Sequence, residues 1–222
     1  MNKKFELTTD TKMFLGRKLF RIKALISFGD VKKGDLGGYI EKESNLSYYG
    51  NAWVSGNAQV YGDARVSGNA WVSGDAWVSG NARVSGNAQV YGNAWVYGNA
   101  GVYGNAQVYG NAQVYGNAGV YGNAWVSGDA QVYGDAWVSG DAWVSGDADY
   151  LCVKGLGRYN RNTTFFKCKD GHIHVSCGCF DGNLEEFTAK VKETHGDNKF
   201  AKECLAVIEV VKIHFEENEI EL

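Results

Sequence analysis

Sixteen consecutive copies of a six-residue unit limit what this chain can fold into. From Gly50 to Ser145 every unit reads Gly-[Asn/Asp]-Ala-x-Val-[Ser/Tyr], with no insertion or deletion. On an extended strand the Ala and Val point to one side, while the variable residue and the Ser or Tyr point to the other. Gly followed by Asn or Asp tolerates the backbone of a sharp corner. Each unit therefore predicts one short strand and one corner.

The variable fourth position reveals a longer period of three units. Its identity matches in 3 of 15 comparisons one unit apart, in 1 of 14 two units apart and in 7 of 13 three units apart. Three corners in 18 residues close a triangular coil, and successive coils pair as parallel strands about 4.8 Å apart. The predicted stacked pairs are Trp53/Trp71, Arg65/Arg83, Trp77/Trp95, Gln89/Gln107, Gln113/Gln131 and Trp125/Trp143.

The segments that flank the repeat are predicted to cover the two open ends of the coil, which would otherwise template aggregation. Residues 1–49 form an N-terminal cap that merges into the first coil, with a strand at residues 18–25. Extending the repeat backwards places Ile40 and Leu46 at the Ala position. We therefore predict a three-sided parallel β-helix over residues 50–149 in an all-β solenoid with an α+β C-terminal cap.

Residues 150–222 depart from the repeat and are predicted to form a small β-β-α-α module. A hairpin is expected around Asp170-Gly171. Asn183 with Glu186 three residues later resembles a capping box, and the first helix is expected to end at Gly196. A second helix follows after a cap at Asp197 or Asn198.

The repeat resembles that of the left-handed parallel β-helix family, which is best known from trimeric acyltransferases. The leader FRIKALISFGDVKKGDLGGYIEKESNLS, the GNAxVYG array and the tail VSCGCFDGNLEEFTAKVKETHGDN are similar to uncharacterised bacteriophage and prophage hexapeptide-repeat proteins. The resemblance implies a left-handed coil and a phage or prophage accessory protein. It implies no activity.

Charge is scarce in the repeat, where residues 50–149 carry two Arg and seven Asp. Nucleic-acid grooves are built on many Lys and Arg side chains, so we expect no nucleic-acid partner. No stretch approaches the roughly 18 apolar residues of a membrane span, and we expect no membrane partner. The five cysteines are an odd number, and no secretory leader is recognisable. We therefore expect a cytoplasmic protein, in the host cytoplasm if phage-encoded.

Enzyme chemistry is hard to place on the repeat. Acyltransferases with the left-handed parallel β-helix fold generally use a histidine base, and carbonic anhydrases with the same fold need three histidines to bind zinc. Residues 50–149 contain no His, Cys or Lys. We therefore predict a non-enzymatic protein with no catalytic residue and no cofactor. An acyltransferase-like enzyme, or chemistry confined to the C-terminal module, is the disfavoured alternative.

The segment HIHVSCGC holds the densest group of potential metal ligands, His172, His174, Cys177 and Cys179, with Cys168 and His195 as potential neighbours. The two histidines share one strand face, but Cys177 falls on the other. The spacing also lacks the paired CxxC pattern of a strong zinc site. We predict no metal and keep the four residues as weak candidates.

Aspartates occupy four consecutive corners near the end of the repeat, at positions 129, 135, 141 and 147. Oxygen ligands suit calcium, but consecutive corners lie on different edges of the triangle. Asp as a substitute for Asn at a turn is the simpler interpretation.

Aromatic side chains dominate the predicted outer surface, because all seven Trp and eight Tyr alternate away from the core. Such a surface either binds a partner or stiffens the sheets by stacking. The predicted binding residues are Trp53, Trp71, Trp77, Trp95, Trp125, Trp137, Trp143, Tyr97 and Tyr115. We favour a rigid scaffold that binds a host protein, such as a defence protein that it inhibits, or a second copy of itself. A carbohydrate-binding virion or adhesin-like component is the alternative, since aromatic planes beside amides suit sugar rings.

Overall fold

The structure is a computed structural model that describes residues 3–216. The N-terminal segment contains β1 (Phe5–Phe14), β2 (Arg17–Ala24), β3 (Leu36–Ile40) and a 3-10 turn (Glu43–Asn45). The repeat forms sixteen two-residue strands: β4 Trp53–Val54, β5 Gln59–Val60, β6 Arg65–Val66, β7 Trp71–Val72, β8 Trp77–Val78, β9 Arg83–Val84, β10 Gln89–Val90, β11 Trp95–Val96, β12 Gly101–Val102, β13 Gln107–Val108, β14 Gln113–Val114, β15 Gly119–Val120, β16 Trp125–Val126, β17 Gln131–Val132, β18 Trp137–Val138 and β19 Trp143–Val144. A second 3-10 turn (Asp147–Asp149) leads to β20 (Tyr150–Leu156), β21 (Arg161–Lys167), β22 (Ile173–Cys177), β23 (Phe180–Asn183), α1 (Leu184–His195) and α2 (Lys199–Phe215).

The sixteen repeat strands form three parallel sheets, which confirms the triangular solenoid with three repeat units per coil. Face 1 contains β4, β7, β10, β13, β16 and β19. Face 2 contains β5, β8, β11, β14 and β17 and continues through β3 to the β1–β2 hairpin. Face 3 contains β6, β9, β12, β15 and β18. All six predicted stacked pairs occupy partner positions on neighbouring coils. The left-handed sense of the coil stays a prediction.

The interior of the coil is built from two residue types. Every Ala and Val of the sixteen units is at most 2% exposed. Each corner glycine of the coil has positive φ, as Gly104 shows with φ 69°. A Cβ at Gly104 would lie 3.0 Å from the carbonyl oxygen of Gly122 in the next coil. The corners therefore require glycine for backbone conformation, and those with a further coil stacked on them require it for close approach as well.

Asparagine ladders run along the corners and explain three of the four aspartates near the end of the repeat; Asp147, the fourth, accepts from the backbone N of Gln131. The Nδ2 of Asn105 donates to Oδ1 of Asn123, which donates in turn to Oδ1 of Asp141. Asp129 and Asp135 likewise accept from asparagines one coil earlier. The final member of a ladder only accepts, so a carboxylate is sufficient there. This supports the turn interpretation of these corners.

The N-terminal cap joins the coil with a longer first turn than predicted. Ile40 pairs with Val60 and Leu46 pairs with Val66, so each precedes its partner by one full coil and two additional residues. Both residues therefore occupy the Val column, and their prediction at the Ala position was wrong. The two additional residues fall between Leu46 and Ala52, after which Trp53 resumes the regular spacing.

Two side chains and one backbone amide of this cap complete the hydrogen bonds of the first coil. In later coils an Ala carbonyl accepts from the backbone N–H of a variable residue one coil earlier, as Ala88 accepts from Trp71. No earlier coil exists for the first three alanines. Their carbonyl oxygens accept instead from Lys4 Nζ at Ala52 (2.9 Å), from Tyr39 N at Ala58 (2.9 Å) and from Asn45 Nδ2 at Ala64 (2.8 Å).

The C-terminal module is a four-stranded antiparallel sheet, β20–β21–β22–β23, followed by two helices. The β-β-α-α prediction omitted two strands, β20 and β23, whose sequences do not follow the six-residue pattern. The predicted hairpin around Asp170-Gly171 is confirmed. Phe166 points to the coil and closes its end, whereas Phe165 packs with the helices. The sheet is therefore the layer between the coil and the helices.

The predicted helix boundaries in this module are confirmed. Asn183 Oδ1 accepts from Glu186 N at 2.8 Å, and Asn183 N donates to Glu186 Oε2 at 3.0 Å. α1 ends before Gly196, which has φ 56°. Asn198 caps α2 by accepting from two backbone amides. Among residues 3–216, no helix is both long enough and apolar enough to cross a membrane.

Candidate functional site

Trp53 is the predicted binding residue that the N-terminal cap buries completely. Its side chain lies outside the coil as predicted, but only 2% of the residue is exposed. Phe28 packs edge-on against its ring at 5.5 Å, and Gly37 approaches the ring closely enough to exclude a Cβ. Trp53 therefore holds the cap on the coil, and its prediction as a binding residue was wrong.

The aromatic rings in the middle of the coil stack along its axis. On Face 2 the rings of Trp77 and Trp95 lie 4.6 Å apart with an interplanar angle of 7°, and those of Tyr97 and Tyr115 lie 4.9 Å apart at 3°. On Face 1 half-buried Trp71 donates from Nε1 to Ser55 Oγ at 3.1 Å. These contacts stiffen the coil, so only part of the aromatic area is available to a partner.

Three predicted tryptophans lie in the last coils, beside the C-terminal module. Trp125 and Trp143 on Face 1 meet edge to face with centroids 6.3 Å apart, and Lys169 Nζ lies 5.6 Å from the Trp125 ring. Trp137 on Face 3 is 53% exposed and is the most exposed tryptophan of the chain. The three residues therefore contribute to two different faces.

A groove forms on Face 2 where the β1–β2 turn overhangs the tryptophans. We name it the Leu15 groove; its volume is 280 Å³, and it is lined by Leu15, Tyr61, Trp77, Ser79, Trp95 and Tyr97. Phe14 packs edge-on against Trp77 at 4.4 Å and holds the turn in place. The side of the groove formed by Trp95 stays open, with that residue 38% exposed.

Leu15 is in an unfavourable position for a leucine. The two-residue turn Leu15-Gly16 has φ 46° and 77°, a backbone for which hairpins prefer Asn-Gly. A non-glycine residue in this region is disfavoured, and bulky residues rarely adopt it. Leu15 is also 73% exposed, so burial offsets little of that cost.

A second concavity, the coil-end cleft, lies between the last coil and the C-terminal sheet. It has a volume of 430 Å³ and is lined by Asp135, Trp137, Tyr159, Asn160, Arg161, Asn162, Thr164, Ser176 and Gly178. Asp135 accepts from Asn117 Nδ2 at 2.8 Å and from Lys154 Nζ at 3.3 Å. These two contacts hold the pKa of its carboxyl below the usual range. Asp135 therefore stays a carboxylate acceptor beside the exposed aromatic rings.

Two arginines are the only cationic residues of the repeat, and they stack on Face 3. Arg65 pairs in register with Arg83 one coil later, and both are exposed. They open onto a cavity of 680 Å³ that Tyr103 also lines. Glu43 lines the same cavity but is paired with Lys3 at 2.8 Å. This part of Face 3 is therefore suited to an acidic group on a partner.

The predicted metal-ligand group is divided by the C-terminal sheet. Cys177 lies on the helix side, where its Sγ accepts from Thr163 Oγ1 at 3.0 Å, and exposed Cys179 lines a helix-side cavity with it. His172 and His174 lie on the coil side, as strand alternation predicts. Their neighbour there is buried Cys168, and one potential ligand atom from each of the three lies within 4.8 Å of the others.

Burial and neighbouring carboxylates set the chemistry of the Cys168 thiol. Cys168 is 5% exposed, and burial raises its pKa to about 12 with the help of Asp170, Asp141 and Asp181. Without a metal the residue is therefore a neutral thiol at neutral pH and not a reactive thiolate.

Comparison with known families identifies the repeat. A family model described as the YdcK beta solenoid repeat matches residues 58–74, 76–92, 88–104, 106–122, 112–128 and 130–146. The repeat is a β-solenoid repeat. The matched segments include Trp77, Trp95 and Tyr97, whereas Leu15 and the Cys168 cluster lie outside them. None of the curated proteins compared with the chain matches it.

Several residues that shape these sites were missed from the sequence. Leu15 carried a signal, because Leu-Gly stands where a two-residue hairpin turn would favour Asn-Gly. Tyr159 and Asn160 lie in the turn between β20 and β21, and β20 itself was not predicted. Asp181 joins the coil-side cluster only through its position on β23. Only the signal at Leu15 is local.

Proposed function

We propose that this protein is a non-enzymatic β-solenoid scaffold that binds a protein partner through the Leu15 groove. The proposal rests on the backbone conformation and the exposure of Leu15. Its positive φ opposes folding of the isolated chain, and its exposed side chain gains too little from burial to offset that cost. Strained backbone held by its surroundings is concentrated at functional sites, and Leu15 lies directly beside exposed aromatic surface.

The groove has the properties of a protein-binding anchor site. Binding energy at protein interfaces concentrates in a few residues, with Trp and Tyr strongly represented. Trp77 and Trp95 form a stacked wall that is fixed before binding, so little side-chain freedom is lost when a partner arrives. The volume of 280 Å³ suits one or two apolar side chains. We therefore expect an apolar anchor of the partner to insert between Leu15 and Trp95.

The arginine pair adds a second element of recognition. Arg65 and Arg83 occupy partner positions on neighbouring strands of Face 3, so two positive charges lie next to each other. Like charges in such positions repel, and an acidic group of a partner would reduce that repulsion. The resemblance of the leader, array and tail to phage and prophage proteins supports a phage accessory protein that acts in the host cytoplasm. On that basis the partner is a host protein, and a defence protein that is inhibited by binding is the class we propose.

Capture from host lysate by groove variants tests the proposal. Tagged wild type, Leu15→Asn and Trp95→Ser are compared, with Trp143→Ser as a control exposed on a different face. The proposal expects a protein that is retained by wild type and Trp143→Ser and lost from both groove variants. The same proteins captured by all four chains would contradict it. If light scattering shows a dimer that the groove variants lose, the groove binds a second copy of the chain.

Carbohydrate binding at the coil-end cleft is the second candidate function. The observation that favours it is the pair of exposed rings, Trp137 and Tyr159, beside the carboxylate of Asp135 and the amides of Asn160 and Asn162. Rings of this kind bind the apolar faces of sugars, while amides and carboxylates bind hydroxyls. A glycan array with wild type, Trp137→Ser and Trp143→Ser tests it. Glycan binding that is lost only in Trp137→Ser would support this function. If wild type binds no glycan, this candidate function is excluded.

A further inference from the structure

Three side chains with metal-ligating atoms meet on the coil-facing side of the C-terminal hairpin. They are buried Cys168, half-buried His174 and exposed His172, each with a ligand atom within 4.8 Å of the other two. The centroids of the two imidazole rings are 6.0 Å apart. Thiolate and imidazole together form a typical ligand set for zinc.

The hairpin itself brings these residues together. Cys168 N donates to the carbonyl oxygen of His172 at 2.9 Å, and Gly171 N donates to that of Cys168 at 2.9 Å, so a tight turn separates the first two ligands. His174 lies two residues further along and pairs with Phe166, with the two rings stacked at 5.2 Å. The site therefore depends on backbone pairing within a short segment.

Each histidine is oriented by a carboxylate. His172 Nδ1 contacts Asp170 Oδ1, and His174 Nε2 contacts Asp181 Oδ1. The opposite ring nitrogen of each residue is left for a ligand. Metal-bound histidines commonly have this arrangement, because the carboxylate fixes the ring orientation and increases the basicity of the ligating nitrogen.

We propose that Cys168, His172 and His174 bind Zn²⁺, with water as the fourth ligand on the exposed side of His172. Tetrahedral zinc distances place the three ligand atoms about 3.3–3.6 Å apart, so binding requires them to approach by no more than about 1.5 Å from separations that are at most 4.8 Å. His172 lies at the turn and is free of core packing, which allows this movement. The Cys168 thiol loses its proton to solvent as the zinc–sulfur bond forms, and no electron transfer is involved.

The proposed site links the module to the solenoid. Asp181 uses its second oxygen, Oδ2, to accept from Ser139 Oγ in the last coil at 3.0 Å. Ala142 in the next unit forms a β-bridge with Cys168. Zinc bound to this cluster would therefore fasten the C-terminal sheet to the end of the coil.

Metal content and the cobalt spectrum test the proposal on the full chain without a histidine tag. The protein is loaded with ZnCl₂, dialysed against metal-free buffer and measured by mass spectrometry. We expect one zinc per chain, and we expect Co²⁺ to give a thiolate charge-transfer band with tetrahedral visible absorption. His172→Gln and Cys168→Ser should lose the metal and the band, whereas Cys177→Ser and Cys179→Ser should keep both.

If Cys168→Ser does not fold, His172→Gln still tests the site, because His172 is exposed and its replacement leaves the core unchanged. A circular-dichroism melt verifies that each variant is folded. Zinc should raise the melting temperature of wild type and leave that of His172→Gln unchanged. Metal-free wild type after loading, or equal zinc in wild type and folded His172→Gln, would overturn the proposal.

Discussion

Lys4 Nζ donates to the carbonyl oxygen of Ala52 at 2.9 Å, in the place that a backbone amide occupies in later coils. The same ammonium reaches the carbonyl oxygen of Gly50 at 3.3 Å. Lys4 is 2% exposed, and burial lowers its pKa from 10.5 to about 8. A single buried lysine therefore completes one corner of the first coil.

The stabilisation by Lys4 should increase with pH. Its pKa is lower in the folded chain than in the unfolded chain, so between about pH 8 and pH 10 the unfolded state binds more protons. Stability from this residue rises over that range. We expect Lys4→Met to cost about 1–3 kcal/mol in unfolding free energy at pH 10 and less at pH 7. Urea unfolding of both chains at several pH values measures this difference.

Wild type and Lys4→Met must be compared because other groups titrate over the same pH range. Burial raises the pKa values of Cys152, Cys168 and Cys204, which lowers stability as pH rises through the same range. Both chains contain these cysteines, so their effect cancels in the difference. A cost of Lys4→Met that stays constant or decreases from pH 7 to pH 10 would contradict the assignment.

Deleting one whole coil should leave a folded protein. Residues 86–103 contain one strand of each face, β10, β11 and β12, so their removal joins Ser85 to Gly104 in phase. The remaining columns then rejoin, as nearest-neighbour stability in solenoids allows. Removing only residues 86–91 rotates every later face by one side of the triangle. We expect a cooperative melt for both deletions, with a lower melting temperature for the second, because it changes which outward side chains stack across the junction.

Equal melts for the two deletions would show that the faces are interchangeable. The structure distinguishes the faces by their outward side chains, because Trp77 pairs with Trp95 on Face 2 and Arg83 pairs with Gly101 on Face 3.

Aspartate should cost stability inside an unbroken asparagine ladder but not at its end; the column of Asp75 is already interrupted, because Asp75 accepts from Asn57 without donating to Asn93. Asn105 accepts from Asn87 and donates to Asn123, whereas Asp141 only accepts. Asn105→Asp places two acceptors opposite each other and should cost about 0.5–1.5 kcal/mol, while Asp141→Asn should be close to neutral. Thermal melts at pH 7 measure both. The cost of Asn105→Asp should shrink at pH 3, where a protonated carboxyl can donate; equal costs at both positions would contradict the ladder direction.

The sequence predicted the parts of the fold that repeat or that depend on local signals. The pairing of Trp77 with Trp95 follows from the three-unit period, and the start of α1 follows from Asn183 and Glu186. Strand alternation also separated Cys177 correctly from the two histidines. Each of these predictions needs only positions a few residues apart or one regular spacing.

What was missed depends on contacts between distant segments. Trp53 is covered because Phe28 from the cap lies on it, and no local pattern encodes that contact. The two additional residues before Ala52 shift Ile40 into the Val column, since the cap and not the repeat sets the first turn. Cys168 joins the histidines through hairpin register. The candidate sites all lie at such junctions, where the repeat no longer specifies the neighbours.

The Leu15→Asn variant tests the central claim most directly, because binding and stability should change in opposite directions. Asn adopts the positive φ of this position more easily than Leu does, so the unfolding free energy of the variant, measured in urea, should rise by about 1 kcal/mol. Its affinity for the captured partner, measured by calorimetry, should fall by about 2 kcal/mol or more, roughly 30-fold. A Leu15→Asn chain that is less stable than wild type and binds the partner with unchanged affinity would contradict the account.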